Sequence, residues 1–321
     1  MATVYLANDL RHDRAVAIKV LRPELAATLG PERFLREIKI AARLQHPHIL
    51  PLLDSGSVDA STAVDRPAAP PTAFLYYVMP YIEGRSLREK LEREGELPVG
   101  ESVRILRDVV DALTEAHAHG VVHRDIKPEN IMLRGRHALV MDFGVAKAVS
   151  EATGRERLTT AGVTLGTPAY MAPEQAAADP LLDHRVDIYA LGAVGYELLA
   201  GRPVFMGTTP QQVLAAHVAE APVPLSQRRD SVPAALESLI MRCLNKKPAD
   251  RWQSADELLT PLEALTTPSG GVTPAETVSV TVRPERTRSR AWRRIAVSTA
   301  ATVAVLAAGV VIGRMVLPTT E

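Results

Sequence analysis

The sequence predicts an α+β protein of two lobes, a small sheet-containing lobe ahead of a larger helical one. A linker and one C-terminal transmembrane helix follow. Three observations carry this expectation. Strand-like and helix-like segments alternate early, whereas the segments beyond about residue 100 read almost entirely as helices. From residue 266 to residue 290 the chain turns to Thr, Pro, Ser, Gly and Arg with almost no apolar periodicity, a composition too polar to bury a core. Beyond it, Ile295–Ile312 is a run of Ile, Ala, Val, Leu and Gly in which only Ser298, Thr299 and Thr302 are polar.

Taken in order, Val16-Ala-Ile-Lys-Val20 is a short β-type run. Pro31 to Leu44 fits a helix with Pro at its start and Phe34, Leu35, Ile38, Ala41 and Ala42 on one face; His46-Pro47 terminates it. Ser55 to Pro71 is rich in Ala, Pro, Ser and Asp. It lies between the apolar segments Ile49–Leu53 and Phe74–Met79, as an insertion at a hairpin would. Helices are expected over Ser102–Ala118, Ala190–Leu199, Pro210–Ala219, Ala234–Leu244 and Ser254–Leu265. As a helix, Ile295–Ile312 would span roughly 27 Å, close to the ~30 Å hydrocarbon thickness of a bilayer. Six arginines, Arg283, Arg286, Arg288, Arg290, Arg293 and Arg294, crowd its N-terminal side, and Arg314 stands alone on the other. The positive-inside rule then places residues 1–294 in the cytoplasm of a single-pass cell-membrane protein that contacts lipid through this helix and its arginines.

Composition excludes several classes. The 321 residues carry 37 Lys+Arg against 37 Asp+Glu, so no overall basic charge argues for a nucleic-acid partner. That balance hides an asymmetry: residues 266–321 hold seven Arg and three Glu, so the remainder is acidic. The lone Cys243 excludes an intramolecular disulfide and any multi-Cys zinc site, and it reads as core. His117 and His119, near a helix end, read as capping or packing residues.

Chemistry enters at three places whose order and spacing matter. Val16-Ala17-Ile18-Lys19 puts a Lys on an apolar strand, which alone would suggest only a snorkelling edge residue. His123-Arg124-Asp125-Ile126-Lys127-Pro128-Glu129-Asn130 is dense in groups that orient a hydroxyl, a metal ion and a phosphate. Asp142-Phe143-Gly144 follows 17 residues after Asp125.

With these three motifs in this order, the chain resembles the eukaryotic-like protein kinases, in particular bacterial membrane-anchored serine/threonine kinases. The resemblance covers about residues 1–265 and includes Ala172-Pro173-Glu174, Asp187-Ile-Tyr-Ala-Leu-Gly192 and Arg251 in Pro-Ala-Asp-Arg-Trp. It implies a bilobal protein-kinase fold with an N-lobe over about 1–79 and a C-lobe over about 84–265. A basic juxtamembrane linker over 266–294, the membrane helix over 295–313 and a short extracytoplasmic tail over 314–321 complete the expected organisation.

The resemblance also implies transfer of the ATP γ-phosphate to protein Ser or Thr hydroxyls, with ATP and Mg²⁺. Lys19 would hold the α- and β-phosphates and be held in turn by Glu37. Asp125 would accept the hydroxyl proton, and Lys127 would neutralise the γ-phosphate. Asp142 and Asn130 would bind Mg²⁺ through hard oxygens. Val4, Ala17 and Met79 would line the adenine site, with the Pro80 carbonyl and the Ile82 N–H facing the base. Arg124 would pair with a phosphorylated Thr159 or Thr160, and Thr167 would belong to the substrate-facing segment. His123, Phe143, Gly144, Glu174, Asp187 and Arg251 would be structural, with Glu174 paired to Arg251 and Asp187 bracing the backbone near His123 and Arg124.

One departure matters. Met1-Ala-Thr-Val-Tyr-Leu-Ala7 resembles the segment directly after the family's glycine-rich loop, so that loop and the strand before it are missing. Either the start is assigned too late, or the chain is a weakened kinase or pseudokinase acting as a membrane-tethered scaffold. Gly309-xxx-Gly313 and Ala300/Ala304/Ala308 offer small-residue spacing for helix pairing, and so for a homodimer.

Overall fold

A computed structural model describes residues 2–59, 73–143 and 168–266. The chain divides into two units, Met1–Pro268 and Ser269–Glu321, and every described residue belongs to the first. The expected linker, membrane helix and tail therefore lie outside the described residues. Among the described residues, no helix is long and apolar enough to cross a membrane.

The smaller lobe is built on a four-stranded antiparallel sheet of order β1-β2-β4-β3: β1 is Ala2–Asp9, β2 Arg14–Leu21, β3 Asp54–Asp59 and β4 Ala73–Pro80. Side chains directly opposite one another in such a sheet share a face. The pairings Val4↔Lys19, Leu6↔Ala17, Lys19↔Tyr77 and Ala17↔Met79 thus put all of these residues on one face. Helix α1 (Pro23–Leu29) and helix α2 (Pro31–Ala41) accompany the sheet, each with Pro in its first turn. Phe34 and Ile38 of α2 join Leu75, Tyr77 and Met79 in the small lobe's core. The α2 helix ends three residues before the expected Leu44.

The apolar segment Ile49–Leu53 is not a hairpin strand. Ile49 forms an isolated parallel bridge to Val140, and pairing with β4 begins at Asp54. The first residues of the polar stretch from Ser55 are therefore strand, where Ser55–Asp59 was expected to be insertion. Polar side chains suit an edge position, because one flank of β3 has no partner strand among the described residues. Residues 60–72 lie outside the described set.

The larger lobe begins after the connection through Ile82 and Gly84. A Cβ on Gly84 would lie 2.2 Å from the Leu133 carbonyl oxygen, so only glycine lets the chain pass there. A short sheet of order β5-β6-β7 follows, with β5 Arg85–Ser86, β6 Ile131–Arg134 and β7 His137–Val140. Helices α3 (Leu87–Glu94) and α4 (Val99–Ala118) pack on it, and α5 (Pro173–Ala176), α6 (Arg185–Ala200), α7 (Pro210–Ala219), α8 (Ala234–Cys243) and α9 (Leu259–Thr266) complete the lobe. Helix α3 starts in a reciprocal capping box, Ser86 with Glu89. Helix α6 is buried nearly all round, as expected of a central core helix. Its Gly192 allows close approach of α8, since a Cβ there would meet the Cys243 Cβ at 2.5 Å. Cys243 is fully buried, and burial pushes its thiol up to about 12, so it is an inert packing residue.

Candidate functional site

The segment between α4 and β6 is held from beneath by Asp187, in the first turn of α6. Its carboxylate accepts the His123 N–H at 2.8 Å and the Arg124 N–H at 2.7 Å, and His117 Nε2 lies 2.8 Å from the same group. Burial alone would raise the Asp187 carboxyl. The His117 hydrogen bond, the neighbouring imidazoles and the Arg124 N–H outweigh it and hold the group below the usual carboxylate range. His117 thus has a bracing role that its reading as a capping or packing residue did not specify. His123 completes the brace. Its Nδ1 accepts the Asp125 N–H at 3.2 Å, which leaves the proton on Nε2 to reach the Met141 carbonyl at 2.8 Å. The ring meets Phe143 edge-on at 4.7 Å.

On this support the backbone takes unusual turns. Arg124 and Asp142 have φ of 66° and 70°, conformations that cost a non-glycine residue about 1–3 kcal/mol each. At Arg124 the strain is held from both sides, its N–H bonded to Asp187 and its carbonyl to Gln175. It brings Asp125, Lys127 and Asn130 together: Lys127 Nζ donates to Asp125 Oδ2 at 2.6 Å, and Asn130 Nδ2 donates to the Asp125 carbonyl at 2.8 Å and to Oδ2 at 3.1 Å. Asp125 is partly open to solvent, whereas Lys127 and Asn130 are buried. With its amide nitrogen so engaged, Asn130 presents its amide oxygen as an acceptor.

The smaller lobe supplies the facing wall. Val4, Ala17, Lys19 and Met79 share the sheet face described above, with Met79 buried and Val4 about half exposed. Pro80 closes β4, and Ile82 packs against the small lobe's core. The Lys19 ammonium pairs with Asp142 Oδ2, whereas Glu37 was expected to hold it. The cross-strand pairing Lys19↔Tyr77 sets this outcome. It places the ammonium beside the Tyr77 hydroxyl, which donates to the other Asp142 oxygen at 2.5 Å. Glu37 is buried on α2 and has interactions of its own. Burial raises the Tyr77 hydroxyl well above its ordinary range, and the Asp142 charge adds to this, so it stays a donor.

Tyr77 was not singled out from the sequence as a site residue. The signal was present, since Leu75, Tyr77 and Met79 alternate inward along β4. A second missed group is Arg88 on α3, which donates to Glu129 Oε1 and to Glu197 Oε1 at 2.9 Å each and also to the Tyr170 hydroxyl. The Ser86-x-x-Glu89 pattern could have announced that helix, but nothing local announces its partners 41 and 109 residues away.

Farther from the reacting groups, Arg251 is fully buried and forks onto both Glu174 oxygens at 2.6 and 2.7 Å. Gln175 Nε2 donates to the Arg124 carbonyl at 3.0 Å, which ties α5 to the bracing turn. Arg124 Nε is buried with no hydrogen-bond partner among the described residues. Gly144, Thr159, Thr160 and Thr167 lie outside the described residues.

The arrangement gathers a carboxylate with a Lys at hydrogen-bond distance, a second carboxylate flanked by a cation, and an amide oxygen. Asn130 and Asp142 offer the hard oxygen donors that Mg²⁺ prefers, and Lys19 adds positive charge beside them. Such a set suits a polyanionic substrate and a hydroxyl to be deprotonated.

Comparison with known proteins adds three findings. Residues 1–261 match the family described as the protein kinase domain. The chain is 40% identical over 262 residues to the serine/threonine-protein kinase PknB of Mycobacterium leprae, covering 80% of this chain and 40% of that protein. It is 39% identical over 273 residues to the serine/threonine-protein kinase pkn3 of Myxococcus xanthus, covering 83% of this chain and 48% of that protein. The chain therefore spans about two fifths to a half of the length of these relatives. A crystal structure of the Mycobacterium tuberculosis PknI kinase domain superposes with a TM-score of 0.62 at 31% identity, over 82% of this chain and 90% of that one.

Proposed function

The chain belongs to the protein kinase family, in its bacterial serine/threonine branch, and from that premise we propose that it transfers the ATP γ-phosphate to protein Ser and Thr hydroxyls. The observation that carries this reading is the convergence on Asp125 of Lys127 Nζ at 2.6 Å and Asn130 Nδ2 at 3.1 Å, opposite the Lys19–Asp142 pair. Asp125 would orient the acceptor hydroxyl and take its proton as the new O–P bond forms and the bond from the γ-phosphorus to the β,γ-bridging oxygen breaks. Lys127, beside it, would move with little displacement onto the γ-phosphate oxygens. Lys19 would exchange Asp142 for the α- and β-phosphates, and Val4, Ala17, Met79, Pro80 and Ile82 would enclose the adenine. Asn130 and Asp142 would hold Mg²⁺, which screens the phosphate charge when bound. Asp142 now has both oxygens engaged, by Lys19 and Tyr77, so nucleotide binding has to release at least one of them.

Regulation fits the same site. The buried Nε of Arg124, without a hydrogen-bond partner among the described residues, would welcome an anion, and a phosphorylated Thr159 or Thr160 would supply about −1.5 to −2 charges. The apolar run after Arg294 supports a membrane tether with the kinase domain on the cytoplasmic side, and its small-residue spacing supports pairing of two chains. The second reading, a tethered scaffold without catalysis, is favoured by one observation. Val4, Tyr5 and Leu6 on the outer strand β1 are more than half exposed, so the roof over the nucleotide is thin.

Phosphate transfer to a Ser/Thr-containing acceptor protein separates the two readings. Transfer that falls about 10²–10⁴-fold in Asp125→Asn is expected of the kinase. No transfer by the native chain, alongside retained ATP binding, would leave the scaffold.

A further inference from the structure

Away from the kinase site, two imidazoles from separate elements converge on a buried carboxylate oxygen of a third. Asp108, on α4, is fully buried. Its Oδ1 accepts from Arg107 Nη2 at 3.1 Å, and its Oδ2 accepts the Ala138 N–H at 3.0 Å. Two imidazoles then approach the same Oδ2: His48 Nδ1 at 3.6 Å and His137 Nδ1 at 3.7 Å. Those separations are too long for hydrogen bonds. They are close to the ~3.3–3.4 Å that separates two ligand atoms bound at ~2.0–2.1 Å to one tetrahedral ion. All three ligand atoms lie within 4.8 Å of one another.

We propose that His48, Asp108 and His137 form a site for a divalent transition-metal ion, Zn²⁺ by preference, with water as the fourth ligand. Two imidazole nitrogens and one carboxylate oxygen select this class over Mg²⁺ and Ca²⁺, which take oxygen ligands. A buried carboxylate needs compensating charge, and a cation supplies it where Arg107 reaches only the other oxygen. Solvent has access from one side, because His137 is 68% exposed while the other two ligands are buried. His48 Nδ1 now donates to the Ala138 carbonyl at 2.9 Å, so binding requires the ring to swing off that oxygen, give up the Nδ1 proton and keep its proton on Nε2.

The location gives the site a consequence. His48 lies in the segment that follows α2, and its carbonyl accepts the Val140 N–H at 2.8 Å. His137 begins β7, two residues beyond which stands Asp142. A bound ion therefore staples α4 to β7 and to the exit of α2, the helix that carries Glu37.

Co²⁺ serves as the spectroscopic probe, added to the full chain with excess Mg²⁺ so that the oxygen site at Asn130 and Asp142 does not compete. One Co²⁺ per chain with the intense visible bands of a four-coordinate centre is expected, together with a Tm raised by Zn²⁺. His137→Ala, an exposed position whose loss does not threaten folding, should weaken Zn²⁺ binding about tenfold or more. His48→Asn should do the same, while His119→Ala should leave binding unchanged. Absence of the bands in the native chain, or bands that survive His137→Ala, would overturn the assignment.

Discussion

The two walls of the site are built on opposite physical plans. In the larger lobe, every turn near Asp125 rests on a fully buried polar group: Asp187 beneath His123 and Arg124, His123 between Asp125 and Met141, Arg251 beneath α5. In the smaller lobe, Lys19 and Val4 stand on a sheet whose outer strand buries little, with Leu6 68% and Tyr5 55% exposed. One wall is fixed by buried hydrogen bonds that cost dearly to break; the other rests on strand register, a small apolar core and the contacts of Lys19 and Tyr77 with Asp142. The lobe that holds Asp125, the proposed proton acceptor, is therefore the more firmly braced, and the lobe that holds Lys19, the proposed phosphate ligand, is the more open to adjustment.

The sharpest way to break this contrast is to remove a buried pillar. Arg251 uses its donors on both Glu174 oxygens and on the carbonyls of Asn245, Arg185 and Lys246. Arg251→Leu leaves Glu174 charged and uncompensated beside three orphaned carbonyls. Loss of about 3–5 kcal/mol in urea unfolding is expected. A loss below about 1 kcal/mol would mean that α5 and the bracing turn do not depend on this pair.

The larger lobe should also be the acid-sensitive one. His217 is buried against the Phe205 ring and 2.8 Å from the Tyr189 hydroxyl. Burial, with the nearby Lys246 charge, depresses its imidazole to about 4. The folded value lies below the unfolded one, so the unfolded chain binds the extra proton. Stability is then complete above about pH 6.5 and declines as pH falls toward about 4. Between about pH 8 and about pH 5 this amounts to about 2 kcal/mol, and His217→Gln should remove that part of the slope. Parallel pH profiles for the native chain and the variant would assign the acid sensitivity elsewhere.

The same contrast governs what the sequence made legible. Lys19, Asp125, Lys127, Asn130 and Asp142, which the structure brings together, could be singled out because their motifs are dense, while their expected roles came from the resemblance to the protein kinases. Pro210–Ala219 was bounded correctly, because Pro at its start and an unbroken apolar pattern act within a few residues. Tyr77, Arg88 and His117 were missed as site or bracing residues because their partners lie 41 to 109 residues away and no local pattern encodes them. The Lys19–Asp142 pair was not legible for a related reason: the two residues stand 123 positions apart, and no local pattern joins them. Capping by Ser86 and Glu89 was readable, and it would have announced α3.

The smallest effect tests the compliant wall. Leu6 lies opposite Ala17 on β1, the outer strand of the described sheet, and is exposed on that strand. Leu6→Thr keeps a good strand former while removing apolar surface, so folding stability should change by no more than about 0.5 kcal/mol. Self-association should fall, since an exposed apolar edge strand invites pairing with another chain. Light scattering of the native chain and the variant at equal concentration reads this directly. A loss of about 2 kcal/mol or more instead would show that Leu6 is part of a packed core, and that the smaller lobe is as firmly built as the larger.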